Sequence, residues 1–393
     1  MKKIWATIGV LGVALGIALD VQSRTLGALP TPPWAERMRG LSQALTDLLY
    51  DLSSDERAAD PASAARIEAN AKKLAESAHA IGSSGKAAMV APDADPTIPM
   101  IASLFDQESK RAYHEWHRGN RVYARDLLRT VAGYCIACHT RNNSGPRLTL
   151  DDARLKTMSA VERAEFYVAT RRFEQALKEF DQVIGDPLVI NDRPLEWERS
   201  IYHALAITVR VNRDPERSLH LVQRILDEPT APLFIKADAT AWKTSLLEWK
   251  KEGIAPAPAK SVAELRALAD RIMTHAQSIR KFATDHSADV EYLRATTILH
   301  DLLARVAPGV ERSQALYQLG CAYNSLQDLD LWTLHELFFE SCIRNTPHTA
   351  IALQCYEQYE ASAYENYSGS AGVALPGDVK QQLRELHGLA VVK

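Results

Sequence analysis

A helical period runs through this chain, and no stretch alternates apolar and polar residues as a half-buried strand would. Met38, Leu41, Leu45 and Leu48 recur at i, i+3, i+7 and i+10, along one stripe of a helix. Further helical segments run from Ala62 to Ile81, around Ile101 to Trp116 and around Tyr123 to His139. A polar, proline-containing stretch around Asp93 to Pro99 and the pair Gly119-Asn120 separate them. Four helices with short connections predict a bundle, an architecture that can house a cofactor between facing helices. The expected fold class is all-α.

Punctuation divides the 393 residues. A chain of this length exceeds what one core usually spans, so two domains are expected. Gly27-Ala28-Leu29-Pro30-Thr31-Pro32-Pro33 reads as an extended linker, because consecutive prolines oppose helix and sheet alike. Asn142-Asn143-Ser144-Gly145-Pro146 closes the first folded unit. The boundaries expected are a leader over 1–23, a linker over 24–33, a four-helix domain over 34–145 and a second helical domain over 150–393.

The leader is the segment that places the protein in the cell. Lys2 and Lys3 precede an apolar run from Ile4 to Leu19, which Asp20 and Arg24 end. A positive start followed by such a run is a secretory signal. Val21-Gln22-Ser23 offers a cleavage site after Ser23, and an uncleaved N-terminal anchor is the alternative. In both cases the bulk of the chain is exported, and the expected place is the periplasm, soluble or tethered to the inner membrane. Lys plus Arg number 46 and Asp plus Glu 49. That near balance argues against a nucleic-acid partner, which needs a basic surface to displace counterions.

The chemistry-bearing motif is Cys135-Ile136-Ala137-Cys138-His139. C-x-x-C-H is the attachment signature for one covalent haem c. On a helix, thiols at i and i+3 share a face and reach both vinyl groups of one porphyrin edge. The histidine at i+4 from Cys135 turns toward the iron from the same side. A zinc site would need further ligands at motif spacing, and no second C-x-x-C or H-x-x-x-H is present. A thiol-redox pair would sit at a helix start within alternating strands and helices. A structural disulfide would give His139 no role. Cys135 and Cys138 are therefore the expected thioether residues and His139 the proximal iron ligand.

The position of the motif narrows the class. A four-helix domain with the motif near its end resembles the class II cytochromes of the cytochrome c-prime type. Ala132-Gly133-Tyr134-Cys135-Ile136-Ala137-Cys138-His139 is similar to that family's last helix, and Met38-Arg39-Gly40-Leu41-Ser42-Gln43-Ala44-Leu45 to its first. In the low-spin members the methionine of the first helix is the sixth iron ligand, so the resemblance makes Met38 the candidate distal ligand. The plainer reading is a core methionine filling a gap. Thr140-Arg141-Asn142-Asn143 departs from the aromatic-Arg pair usual after the family's histidine, which leaves the haem-edge contacts open. His79, His114 and His117 are other sixth-ligand candidates in the same domain.

The second domain is repetitive. Ala164 to Pro187 resembles a tetratricopeptide repeat, with Tyr167, Ala176 and Phe180 at that family's spacings. Ile201 to Pro229 follows the plan more weakly, through Tyr202, Leu205, Ser218 and Ile225. Leu319-Gly320-Cys321-Ala322-Tyr323 is similar to the first repeat helix, with Pro347 closing that unit. Small residues permit close helix approach and aromatic ones fill the gaps, which is what stacking needs. Gly253-Ile254-Ala255-Pro256-Ala257-Pro258 interrupts the array.

The remaining signals are weaker. Cys321, Cys342 and Cys355 read as small buried apolar residues, with a Cys342–Cys355 bridge as the alternative. His114-Glu115-Trp116-His117 has the wrong spacing for a zinc protease, and Gly82-Ser83-Ser84-Gly85-Lys86-Ala87 too short a loop for a phosphate cradle. Tyr356, Tyr359, Tyr364 and Tyr367 read as packing between repeats. No nucleophile stands with a base, so no catalytic residue is expected.

The function implied is single-electron transfer by an exported mono-haem cytochrome. It would dock to a redox partner protein, in a membrane-associated complex, through the repeats. Two alternatives share the motif. One is a five-coordinate haem that binds a gas or senses it. The other is a scaffold or assembly subunit of a membrane redox complex.

Overall fold

The computed structural model describes residues 33–82, 97–139, 151–253, 260–326, 334–370 and 372–392. The expected leader and nearly all of the linker lie outside the described residues, as does the glycine-rich segment after Gly82. The chain is all-α. A pair of two-residue antiparallel strands, Ser368–Gly369 and Gly372–Val373, is the one exception among the described residues. No described helix is long and apolar enough to cross a membrane.

The first unit comprises α1 (Pro33–Asp51), the short α2 (Asp55–Ala59), α3 (Pro61–Gly82), α4 (Thr97–His117) and α5 (Arg121–His139). α1 packs on α3, α3 on α4 and α4 on α5, and α1 also meets α5, which closes the set. The predicted stripe faces inward: Leu41, Leu45 and Leu48 are buried against Ile67, Leu74, Phe105, Trp116 and Leu128. Each such leucine contributes about 1.5–3 kcal/mol by leaving water. Gly119, at φ 88° in the left-handed region, makes the tight turn from α4 into α5.

The rest follows as α6 (Asp152–Leu155), α7 (Ala160–Ala169), α8 (Phe173–Ile184), α9 (Pro187–Asp192), α10 (Pro194–Ala206), α11 (Pro215–Asp227) and α12 (Leu233–Glu252). Then come α13 (Val262–Ile279), α14 (Asp289–Leu303), α15 (Val310–Ser325), α16 (Leu334–Asn345), α17 (Ala350–Asn366) and α18 (Gly377–Ala390). Local chemistry sets many of these starts. Ser159 with Glu162 and Ser261 with Glu264 form capping boxes on α7 and α13. Prolines stand at the first turns of α9, α10 and α11, where a missing N–H costs nothing.

Consecutive helices pair as hairpins: α7 with α8, α11 with α12, α13 with α14 and α15 with α16. The hairpins α7–α8 and α15–α16 fall where the first and last repeat-like segments stand, whereas α10 packs mainly on α8 and α11 on α12, so Ile201 to Pro229 does not pair as one hairpin. Ala176, Phe180, Ser218, Ile225 and Leu319 are fully buried, and Tyr202 nearly so. The run after Gly253 falls between α12 and α13, with residues 254–259 outside the described residues.

The helical array meets the bundle at two places far apart in sequence. Near its start, Arg154 pairs with Asp47 at 2.7 Å, Arg57 with Glu162 at 3.2 Å, and Tyr50 Oη lies 3.0 Å from Thr157 Oγ1. Near its end, α16 packs on α4. One hydrophobic cluster runs from Leu41 to Ala390 through both units.

Two expectations are corrected. Cys342 and Cys355 are not free thiols: they form a disulfide between α16 and α17, with Cα atoms 6.3 Å apart. The hairpin brings the two positions within bridging distance, which spacing along the chain could not tell. Of these three, Cys321 stays a thiol, half-buried, and burial pushes it up to about 11 despite its contact with Tyr317. Of the four tyrosines, Tyr356 and Tyr359 pack inward, but Tyr364 and Tyr367 are exposed near the end of α17.

Candidate functional site

α5 carries the motif in its last turns, so Cys135, Cys138 and His139 all stand on helical backbone. At 100° per residue Cys138 lies about 60° from Cys135 around the axis and His139 about 40°, within one face of the helix. The rise from Cys135 to His139 is about 6 Å. Two cysteines and a histidine at these helical positions are a donor set of the kind that one haem c takes. The side chains of 135–139, and residues 140–150 as a whole, lie outside the described residues.

Polar ties fix how α5 lies against α1. Arg129 donates from Nε and Nη2 to the Leu52 carbonyl at 3.0 and 2.6 Å. Arg125 reaches Asp55 at 2.8 Å. A guanidinium on the closing carbonyls of a helix satisfies groups that have no partner within it. Burial and the neighbouring Arg125 lower the affinity of Arg129 for its proton, against the opposing pull of Asp55.

These ties set the register. The first half of α5 lies beside the end of α1, so the two helices are antiparallel. From Arg129 to His139 the rise is about 15 Å, and from Leu52 back to Met38 about 21 Å. The motif and the start of α1 therefore stand at the same end of the bundle, within about 6 Å in axial level. Met38 is on the backbone of α1 at that end, while its side chain lies outside the described residues.

The histidines are placed otherwise. His114 and His117 are in the last turn of α4, just before the Gly119 turn. That puts them roughly 18 Å or more along the axis from His139, at the opposite end of the bundle. His117 Nδ1 lies 2.8 Å from Glu68 on the exposed surface, and His114 is exposed beside Tyr113. Between them Trp116 is buried, so the His-Glu-Trp-His run is split between core and solvent. His79 is nearer the motif's level, but its ring is exposed, with Nδ1 2.8 Å from Lys110 Nζ and 3.2 Å from Asp106.

One feature of this end was not singled out in the sequence. α4 begins beside the end of α5, and there Met100 points its thioether at the helical array. Ser341 Oγ of α16 donates to Met100 Sγ at 2.9 Å. Nothing in the local pattern marks either residue, since the contact spans 241 positions.

Among the described residues no group of three or more His, Cys, Asp or Glu could hold a metal ion. Comparison with protein-family models, with curated proteins and with solved structures finds no match to this chain.

Proposed function

We propose that this chain is an exported c-type cytochrome with one covalent haem, passing single electrons while its helical array docks a partner protein. The observation that carries the reading is Cys135-Ile136-Ala137-Cys138-His139 on the closing turns of the last helix of an antiparallel bundle. It rests equally on the resemblance to cytochrome c-prime domains stated above. When bound, a haem supplies a one-electron couple whose potential follows from its axial ligands and burial.

The chain's own residues then have distinct tasks. Cys135 and Cys138 would hold the porphyrin through thioether bonds, so that it would be retained in both oxidation states. His139 would supply a ring nitrogen to the iron. Met38 is the candidate for a second protein ligand, and the shared axial level of α1 and the motif supports it. Arg129 positions α5 by clamping it to the end of α1.

In this reading the array resembles tetratricopeptide hairpins, and its docking face is the groove shared by α13, α15 and α17. Arg266, Asp270, Gln314 and Gln318 line it beside Met273, Tyr317 and Ile351. Such a mixed wall suits an amphipathic protein segment.

The test is the purified, exported protein. Its intact mass should exceed that of the polypeptide by one haem, and the reduced protein should show the sharp bands of a six-coordinate c-type haem. A mass equal to the bare chain would sink the reading. A fast spectral change with carbon monoxide would replace the electron carrier by the gas-binding alternative.

A further inference from the structure

The second domain holds a built cavity that the haem reading does not use. It lies between α12, α13, α14 and the π-helical turn Ile207–Val211 that extends α10, is partly open to solvent, and offers about 170 Å³. A cavity of roughly 150 Å³ takes a benzene ring, so this one holds a molecule of about that size.

Its wall combines apolar side chains with charged ones, cations in the majority among the latter. Trp249, Leu265, Leu268 and Ile298 supply the apolar part. Four cations line it, Arg213, Lys260, Arg271 and Arg294, against two carboxylates, Glu252 and Asp301. Asp301 is taken by Arg213 at 3.0 Å. Glu252 is shared by Arg271 at 2.6 Å and Arg294 at 2.8 Å. Lys260 makes no ion pair among the described residues. The cavity is thus two positive charges in excess.

Arg294 is the strongest of these observations. Its side chain is only 9% exposed, and its Nη2 donates to Glu252 at 2.8 Å. The guanidinium carbon lies over the Trp249 ring, 4.7 Å from its centroid. Burial lowers the affinity of Arg294 for its proton, against the opposing pull of Glu252 and of the buried Glu291. Burial raises Glu252, but the hydrogen bonds from Arg271 and Arg294 outweigh it and keep the carboxyl ionised.

The backbone beside the cavity is irregular in two ways. Val209 of the π-helical turn lines it, and Arg213 has φ 53°, a left-handed conformation uncommon outside glycine. π-turns and such outliers concentrate at binding sites, where the surroundings compensate their cost.

We propose that this cavity binds a small organic carboxylate with a compact apolar body, about the size of benzoate. The carboxylate meets Arg294, Arg271 and Lys260, and the apolar body lies on Trp249 and the leucines. A planar carboxylate suits guanidinium forks better than a spherical anion does.

The test is calorimetric titration of the full-length purified protein with benzoate, with neutral benzamide and with an acetylated tripeptide acid. Benzoate should bind with a Kd of about 1 mM or tighter. Benzamide should bind at least about tenfold more weakly, since it keeps the shape and loses the charge. Arg271→Gln and Lys260→Gln each alter a side chain away from the core, and each should weaken benzoate about fivefold or more with the thermal midpoint unchanged. No binding of benzoate, equal binding of benzamide, or unchanged affinity in both variants overturns the proposal. Tighter binding of the tripeptide acid overturns it too, by assigning the cavity to a chain terminus.

Discussion

Ser341 Oγ donates a hydrogen bond to the thioether of Met100 at 2.9 Å, joining α16 to the end of the bundle where the C-x-x-C-H motif stands. Ser341 is buried and Met100 half-buried, so the contact is largely shielded from water. Whatever shifts α16 is felt at that end of the bundle, because close-packed helices transmit displacement.

Truncating this pair should be costly and non-additive. Met100→Ala is expected to lower unfolding stability by about 2 kcal/mol through lost packing, and Ser341→Ala by about 1 kcal/mol. The double variant should cost less than the sum, because both changes remove one contact. Denaturant unfolding of the four proteins measures the coupling, and strict additivity would mean the contact carries nothing.

The candidate iron ligand has a sharper readout. If Met38 ligates, Met38→Ala should open the distal side, so that the reduced protein binds carbon monoxide while covalent haem is retained. Difference spectra with carbon monoxide check this. Unchanged spectra would leave Met38 as a core residue of α1.

The Cys342–Cys355 bridge closes a short loop, 13 residues apart in sequence. Replacing both by Ser should cost about 2–4 kcal/mol, mainly by freeing the unfolded chain. Reductant should lower the thermal midpoint of the native protein and leave that of the double variant unchanged.

Gly320 has a tight neighbour. A methyl group there would come within 3.0 Å of the ring of Phe339, which is fully buried between α15 and α16. Gly320→Ala is expected to destabilise by about 1–3 kcal/mol despite alanine's better helix propensity. Urea unfolding decides the sign: a stabilised variant would show that α16 can move aside.

His335 predicts an acid-sensitive region. Burial pushes its imidazole down to about 4, and Nδ1 has no hydrogen-bond partner among the described residues, while Nε2 meets Ser362 Oγ at 2.7 Å. The folded state keeps the ring neutral where the unfolded chain, at about 6.5, would protonate it. Stability from this residue is therefore whole above about pH 6.5 and is lost as pH falls toward 4, by an amount on the order of 3 kcal/mol. His335→Gln should flatten that part of the stability curve, measured by unfolding at steps of pH.

The helices were legible because they depend on local rules. Leu41, Leu45 and Leu48 declare a buried stripe, Ser159 with Glu162 a start, and Gly119 a turn, each within a few residues. The candidate site was legible for the same reason: Cys135, Cys138 and His139 are neighbours in sequence, and a helix alone puts them on one face. Met38 was reached by resemblance, and only the antiparallel register of α1 and α5 brings its backbone to the motif's end.

Other features needed the folded chain. The sequence could not choose between free and bridged Cys342 and Cys355, because pairing depends on the 6.3 Å between their Cα atoms in the packed hairpin. It showed nothing of the Met100–Ser341 contact, nor of the cavity that gathers Arg213, Glu252, Lys260, Arg271 and Arg294 from separate elements. Sequence by itself determined an all-helical chain and the three residues of the motif, since helix period and i, i+3, i+4 spacing are properties of one segment. Tertiary structure decided which ends and faces meet, because packing joins residues hundreds of positions apart and leaves no local signal.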